Sequence, residues 1–276
     1  MKSFCISLEK KKETWPALEA YFSENGIDKI SFFPGVNGKE IGEYYKNTNT
    51  KNISENTLSL ITSLGGVEKM VSTWGLYNLS NMKTRKDHAQ LSSWGAVGCS
   101  LSHILLWKKI VDENLDSLLI FEDDIYFYPN FKENLSRVLE NIPEDADAVF
   151  LDVIRNFKSV QYNDIFDRIL DQFFGMHAYI MTNKGAKKLL PYVFPIEIQI
   201  DSFMGFRANL GDLTLFAAKD ICGQKVHIST IQTINPCVLC DLNDKHLYFL
   251  NFTFGFLVLF SFILVFVILY FLWKKT

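Results

Sequence analysis

The chain has 276 residues and a formal net charge of −3, from 28 basic and 31 acidic side chains. That length holds one sizeable α/β domain or two small ones. The near-balanced charge argues against a nucleic-acid partner, which would need a basic face, and no internal repeat suggests a solenoid.

Residues 2–8 read as a first buried strand. A helix over 13–23 tolerates Pro16 in its first turn and ends at Asn25-Gly26. Residues 29–33 read as a second strand, closed by Pro34-Gly35 and Asn37-Gly38. Strand, helix and strand within about 35 residues open a doubly wound sheet. From 43 to 93 the pattern is less regular. Lys46 to Asn52 is a polar loop, and a helical period over 58–71 is interrupted by Gly65-Gly66. The segment between Trp74 and Trp94 carries Arg85, Lys86 and His88, which face either solvent or a nucleotide phosphate. Small residues over 95–103 then lead into an apolar helix over 101–111. Glycines there permit close backbone approach, and a helix N-terminus favours anions. His103 inside that helix reads as a packed, hydrogen-bonded side chain.

At 118–124 four apolar residues run into three carboxylates, Leu118-Leu119-Ile120-Phe121-Glu122-Asp123-Asp124. An apolar run without alternation suits a strand buried on both faces. Side chains on a strand alternate, so Glu122 and Asp124 share a side and Asp123 takes the other. Adjacent acids repel and are costly to desolvate unpaired. A divalent cation relieves both problems, and open α/β sheets bind ligands beyond the carboxyl ends of their strands. Two readings follow: a Mg²⁺ or Mn²⁺ site facing a diphosphate, or a solvated turn that caps the next helix. Beyond it come a helix over 129–140, a strand over 146–151, a strand over 174–182 carrying His177, and a helix over 183–190 stopped by Pro191. Residues 198–201 set the isolated Asp201 behind apolar neighbours. A last clear strand spans 212–217, and 224–231 contains His227.

Residues 247–273 carry no charge. As a helix this run reaches roughly 40 Å, more than the roughly 30 Å hydrocarbon core of a bilayer. Tyr248, Tyr270 and Trp273 fit interfacial positions. The expected organisation is a domain over 1–235, a linker over 236–246 and one transmembrane helix over 247–273. The N-terminus lacks a secretory pattern, so the simplest topology leaves the domain in the cytosol. Lys274-Lys275 at one end and Lys245-His246 at the other leave the orientation open. Five cysteines, Cys5, Cys99, Cys222, Cys237 and Cys240, read as reduced thiols. Cys237 and Cys240 have no second pair to complete a zinc site; their juxtamembrane position also allows S-acylation.

Several of these stretches together resemble glycosyltransferase family 25, the family of lipooligosaccharide and procollagen galactosyltransferases. Phe4 to Leu8 looks like its opening strand. Phe32 to Gly38 is similar to its F-x-A-V-D-G turn, with Gly35 and Asn37 as departures. Gly95 to His103, followed by Trp107, resembles its G-x-x-G-C-x-x-S-H block. Leu119 to Asp124 is similar to its L-x-x-E-D-D strand end. His177 to Leu189 looks like its A-Y…G-A-x-K-L segment, and Pro195 to Asp201 like its P-I…D element. The resemblance implies a GT-A-like, Rossmann-type domain that binds a nucleotide-sugar, with inverting transfer to a glycan, a lipid-linked sugar or a hydroxylated protein. It implies a UDP-sugar donor and Mn²⁺ or Mg²⁺. Toward the donor it directs Ser7, Gly98, His103, Glu122 and Asp123; toward the metal, Asp124 with Glu122 or Asp123 assisting, and His227 or His177 to complete the shell or touch the diphosphate. Asp201 is then the candidate general base. Each of these histidines also has a purely structural reading, and Asp201 can simply cap a helix. A membrane-tethered relative that binds nucleotide-sugar without turnover is the alternative.

Overall fold

A computed structural model describes residues 1–48, 51, 53–81, 87–156, 158–219 and 221–225. The run 247–273 and Arg85, Lys86, His227, Cys237 and Cys240 lie outside them. Among the described residues, no helix is long and apolar enough to cross a membrane.

Strand β1 (Lys2–Leu8) passes through a 3-10 turn into α1 (Trp15–Glu24), which returns the chain to β2 (Ile30–Gly35). Pro16 sits in the first turn of α1, and Gly26 closes it at φ 87°. Four short helices follow: α2 (Gly38–Tyr45), α3 (Glu55–Ser63), α4 (Val67–Met70) and α5 (Thr73–Ser80). Gly65 and Gly66 separate α3 from α4 at positive φ, where glycine carries little steric cost. The long α6 (Trp94–Asp112) leads to β3 (Ser117–Glu122), β4 (Ile125–Phe127), α7 (Phe131–Glu140) and β5 (Ala148–Phe150). Then come β6 (Arg155–Asn156), β7 (Ser159–Gln161), β8 (Phe166–Ile169), β9 (Phe173–Phe174) and β10 (Ala178–Thr182). The described chain closes with α8 (Asn183–Leu189), α9 (Ile200–Asn209), β11 (Leu215–Ala218) and β12 (Cys222–Gln224). All of these elements fall in one compact unit, Met1–Asn235.

The main sheet has eight strands in the order β2-β1-β3-β10-β5-β11-β8-β7. Its first three strands are mutually parallel, as the opening strand–helix–strand unit predicts. The sheet is nevertheless mixed, because β10 lies antiparallel between β3 and β5, and β8 antiparallel to β11 and β7. The reversal of β10 positions the site. It brings the start of β10 to the edge where β3 and β5 end.

Two apolar layers sandwich the sheet. On β3, Leu118 and Ile120 join one layer, and Leu119 and Phe121 join the other. All four are buried, as an apolar run without alternation requires. The first layer is built around α6, with Trp107 fully buried, and the second around α1 and α7.

Among the differences from the sequence reading, three bear on the site. The small-residue block over 95–103 is not a loop before a helix; it lies inside α6, which begins at Trp94 with Ser93 accepting from the Ala96 amide. The span 174–182 divides into β9 and β10 because Gly175 turns at φ 101°. Beyond the last expected strand, β12 pairs antiparallel with β4, a long-range pairing that no local period reports.

Candidate active site

Where β3 and β5 end and β10 begins, a cleft of about 540 Å³ opens. Four carboxylates line it: Glu122, Asp124, Asp152 and Asp201. Each arrives from a different local structure. Glu122 ends β3. Asp124 follows in the turn to β4 and is held by β12, whose Gln224 Nε2 donates to Asp124 Oδ2 at 2.7 Å. The Lys225 amide donates to the Asp124 carbonyl at 2.7 Å. Asp152 follows β5. Asp201 lies in the first turn of α9, where its carboxylate accepts from the Ser202 amide at 2.7 Å and the Gly175 amide at 3.3 Å.

The alternation expected from the strand holds. Glu122 and Asp124 face the cleft, while Asp123 faces a second pocket on the α1 side that shares Lys225 with the cleft. There Asp123 accepts from Ser7 Oγ at 2.7 Å and from Lys11 Nζ at 2.9 Å, and Trp15 Nε1 donates to Ser7 Oγ at 3.0 Å. Ser7 and Asp123 are thus brought together, but not in the four-carboxylate cleft. Gly98 is not in the cleft either. A Cβ there would meet Gly38 N and Val36 O at 2.5 Å, so α2 packs against it and fills the space a ligand would need. His103 is fully buried behind Glu122, with Nε2 3.1 Å from Glu122 Oε1.

Two residues that line or back the cleft carried less signal in the sequence. Asp152 follows Ala148-Val149-Phe150-Leu151, the same apolar run into an acid that marks 118–124, but with one acid in place of three. His177 is fully buried with its Nε2 3.4 Å from Asp152 Oδ2. Neither ring nitrogen has a hydrogen-bond partner among the described residues.

The carboxylates differ in their electrostatics. Burial, then the charge of Glu122, raises Asp124 to about 6. Burial also opposes ionisation of Glu122, but the hydrogen bond from His103 works against it, and the net effect lowers its pKa. Burial raises Asp201 against the two amide hydrogen bonds it accepts. The buried Oδ1 of Asp124 has no hydrogen-bond partner among the described residues. An all-oxygen carboxylate set with an unsatisfied buried oxygen fits a hard divalent cation such as Mn²⁺ or Mg²⁺. Among the described residues, Cys99, His103 and Glu122 are the one group of three possible ligands whose ligand atoms lie within 4.8 Å of one another. Their polar atoms are already engaged, since Cys99 Sγ and His103 Nε2 both approach Glu122 Oε1.

Comparison with known proteins adds an independent line. The model of glycosyltransferase family 25 (LPS biosynthesis protein) matches residues 1–204. A putative glycosyltransferase of Haemophilus influenzae is 35% identical over 128 residues, 44% of this chain and 44% of that protein. Human procollagen galactosyltransferase 2 is 40% identical over 127 residues, 42% of this chain and 20% of its own length. Human inactive glycosyltransferase 25 family member 3 is 40% identical over 60 residues, 22% of this chain and 10% of its own. The chain therefore spans less than half the length of these relatives.

Proposed function

The chain belongs to glycosyltransferase family 25, and from that premise we propose that it transfers a hexose, galactose or glucose, from a UDP-sugar to a glycan, lipid-linked or hydroxylated protein acceptor. The proposed domain is GT-A-like and transfer inverts the anomeric centre. The carrying observation is the convergence of four carboxylates on one cleft, with the buried Asp124 Oδ1 unsatisfied.

Asp124 and Glu122 would hold the cation. When bound, it would neutralise the donor diphosphate and stabilise the charge left on the departing phosphate. Asp201 is the proposed base. The amides of Ser202 and Gly175 fix its orientation, and burial raises its proton affinity toward that of a useful base. As the acceptor oxygen bonds to the anomeric carbon, its hydroxyl proton passes to Asp201. The bond from that carbon to the phosphate oxygen breaks, and UDP leaves with the electron pair. We place the uncharged run 247–273 in a membrane as a single span, with the catalytic domain on the cytosolic side.

The test is UDP release by the purified full-length chain from a panel of nucleotide-sugars, with Mn²⁺ and with chelator. Metal-dependent release from one sugar supports the reading and names the donor. Absence of release, together with no thermal stabilisation by UDP and Mn²⁺, overturns it. Stabilisation without turnover, with acceptors of all three classes supplied, would instead favour a binding protein without transferase activity; one relative is named inactive.

A further inference from the structure

Behind Glu122 a line of buried polar groups runs into the core. Trp107 Nε1 donates to Tyr179 Oη at 2.9 Å. Tyr179 Oη lies 2.9 Å from His103 Nδ1, and His103 Nε2 lies 3.1 Å from Glu122 Oε1. Trp107, Tyr179 and His103 are fully buried, and they come from α6 and β10. An apolar core of this density does not hold four polar groups in series without a constraint that keeps them satisfied.

The donor inventory orders the chain. An indole nitrogen can only donate, so Tyr179 Oη accepts from Trp107. The single phenolic proton must then find an acceptor, and His103 Nδ1 is the one in reach. With Nδ1 accepting, the ring proton sits on Nε2 and points at Glu122 Oε1. The other arrangements fail locally. A proton on Nδ1 alone would set the Nε2 lone pair against a carboxylate. Protons on both nitrogens would leave the buried phenolic proton without a partner. Cys99 Sγ adds a second donor to the same Oε1 at 3.7 Å. Both side-chain donors thus converge on Oε1, and among the described residues Oε2 receives none.

The geometry points to a positioning relay, Trp107 to Tyr179 to His103 to Glu122, that fixes His103 as the neutral Nε2–H tautomer and holds Glu122 by one oxygen so that the other is presented to the cleft. None of the three inner residues lines the cleft, so they are positioning residues rather than catalytic ones. The tautomer assignment stands on the hydrogen bonds alone. The role in presenting Glu122 rests on the proposed function, in which Glu122 holds the cation.

The test has two independent readouts on the full-length chain. Long-range ¹⁵N–¹H correlation spectra of ¹⁵N-histidine-labelled protein distinguish the two neutral tautomers and the imidazolium. The chain has five histidines, and the His103 signal is assigned by its loss in His103→Gln. The neutral Nε2–H pattern is expected at pH 7.5. An Nδ1–H pattern or an imidazolium overturns the relay. The second readout is Mn²⁺ affinity by calorimetry. Tyr179→Phe keeps the ring and breaks the relay at its centre; it is expected to weaken Mn²⁺ binding about tenfold or more. Trp107→Phe, which frees the phenol to reorient, is expected to weaken it several-fold. His103→Gln, which can still donate to Glu122, is expected to bind more tightly than His103→Leu. Equal affinity across all variants overturns the positioning role. If the wild-type chain binds Mn²⁺ neither alone nor with UDP, the cation-holding role of Glu122 and the positioning role fall together, while the tautomer spectrum still decides the relay.

Discussion

Asp124 is under two opposed demands. Ionised, it can hold a cation; buried beside Glu122, it resists ionisation and titrates near 6. For a carboxyl raised above its unfolded value of about 3.9, the folded state holds the extra proton between those two pH values. Stability of the metal-free protein therefore falls as pH rises from about 4 to about 6, by up to roughly 3 kcal/mol from this group. Asp124→Asn removes the charge and retains an oxygen to accept from Gln224. It should raise the thermal midpoint of the metal-free chain at pH 8 by several degrees and abolish the further rise that Mn²⁺ produces. A midpoint at or below wild type would refute the charge-burial argument. Protons compete with the metal for the same oxygens, so Mn²⁺ affinity of the wild type should weaken below pH 6, as a calorimetric series can measure. Asp201→Asn tests a different role. Loss of the base should lower kcat by about 10² to 10⁴ while donor KM stays within a few-fold. A large change in KM with kcat intact would make Asp201 a binding group.

Helix α6 shows how one element serves packing and site together. Its Gly98 meets the start of α2 so closely that no Cβ fits. Ser102, buried in the same crossing, accepts from the Val36 amide at 2.8 Å and donates to the Gly98 carbonyl at 2.7 Å. Gly98→Ala should destabilise by about 1–3 kcal/mol through overpacking, although alanine is the better helix former by about 1 kcal/mol. Ser102→Ala should cost about 1–3 kcal/mol, because the Val36 N–H is left unsatisfied. Denaturant unfolding of the full-length variants measures both. A Gly98→Ala protein of full stability that had lost donor binding would return Gly98 to the donor site. In a sequence, a glycine for a helix crossing and a glycine for a phosphate look alike, because both are a missing Cβ. Only the partner element tells them apart.

For the whole molecule, binding and membrane attachment are the properties to measure. A ligand that binds only the folded state stabilises it by mass action, about 2.7 kcal/mol at a hundredfold excess over Kd. UDP with Mn²⁺ should therefore raise the thermal midpoint of the full-length chain, with UDP in chelator having a much smaller effect. The uncharged run 247–273 should keep the expressed chain in the membrane pellet through alkaline carbonate extraction. Release into the supernatant would refute a spanning segment.

What was legible from the sequence follows the range of the interactions that encode it. The opening strand–helix–strand unit, the stop at Asn25-Gly26, the break at Gly65-Gly66 and the division of Glu122 and Asp124 from Asp123 depend on local periods and turn chemistry. Each appears in the structure as read. The six short blocks that resemble family 25 carried the family, and the match over residues 1–204 establishes it. Other features depend on residues distant in sequence and were set only by tertiary structure. The antiparallel insertion of β10 brings His177 beside the ends of β3 and β5. The pairing of β12 with β4 delivers Gln224 to Asp124. The crossing of α2 on α6 assigns Gly98 to packing. Tyr179 is marked in the sequence only as part of the A-Y segment that resembles the family, and its hydroxyl gains a role only where Trp107 and His103 converge on it. Strand alternation is fixed by neighbouring peptide geometry, whereas sheet order and helix crossings are chosen by burial across the whole domain. The chain alone therefore identified the acids at the strand end, and the folded structure supplied what surrounds them.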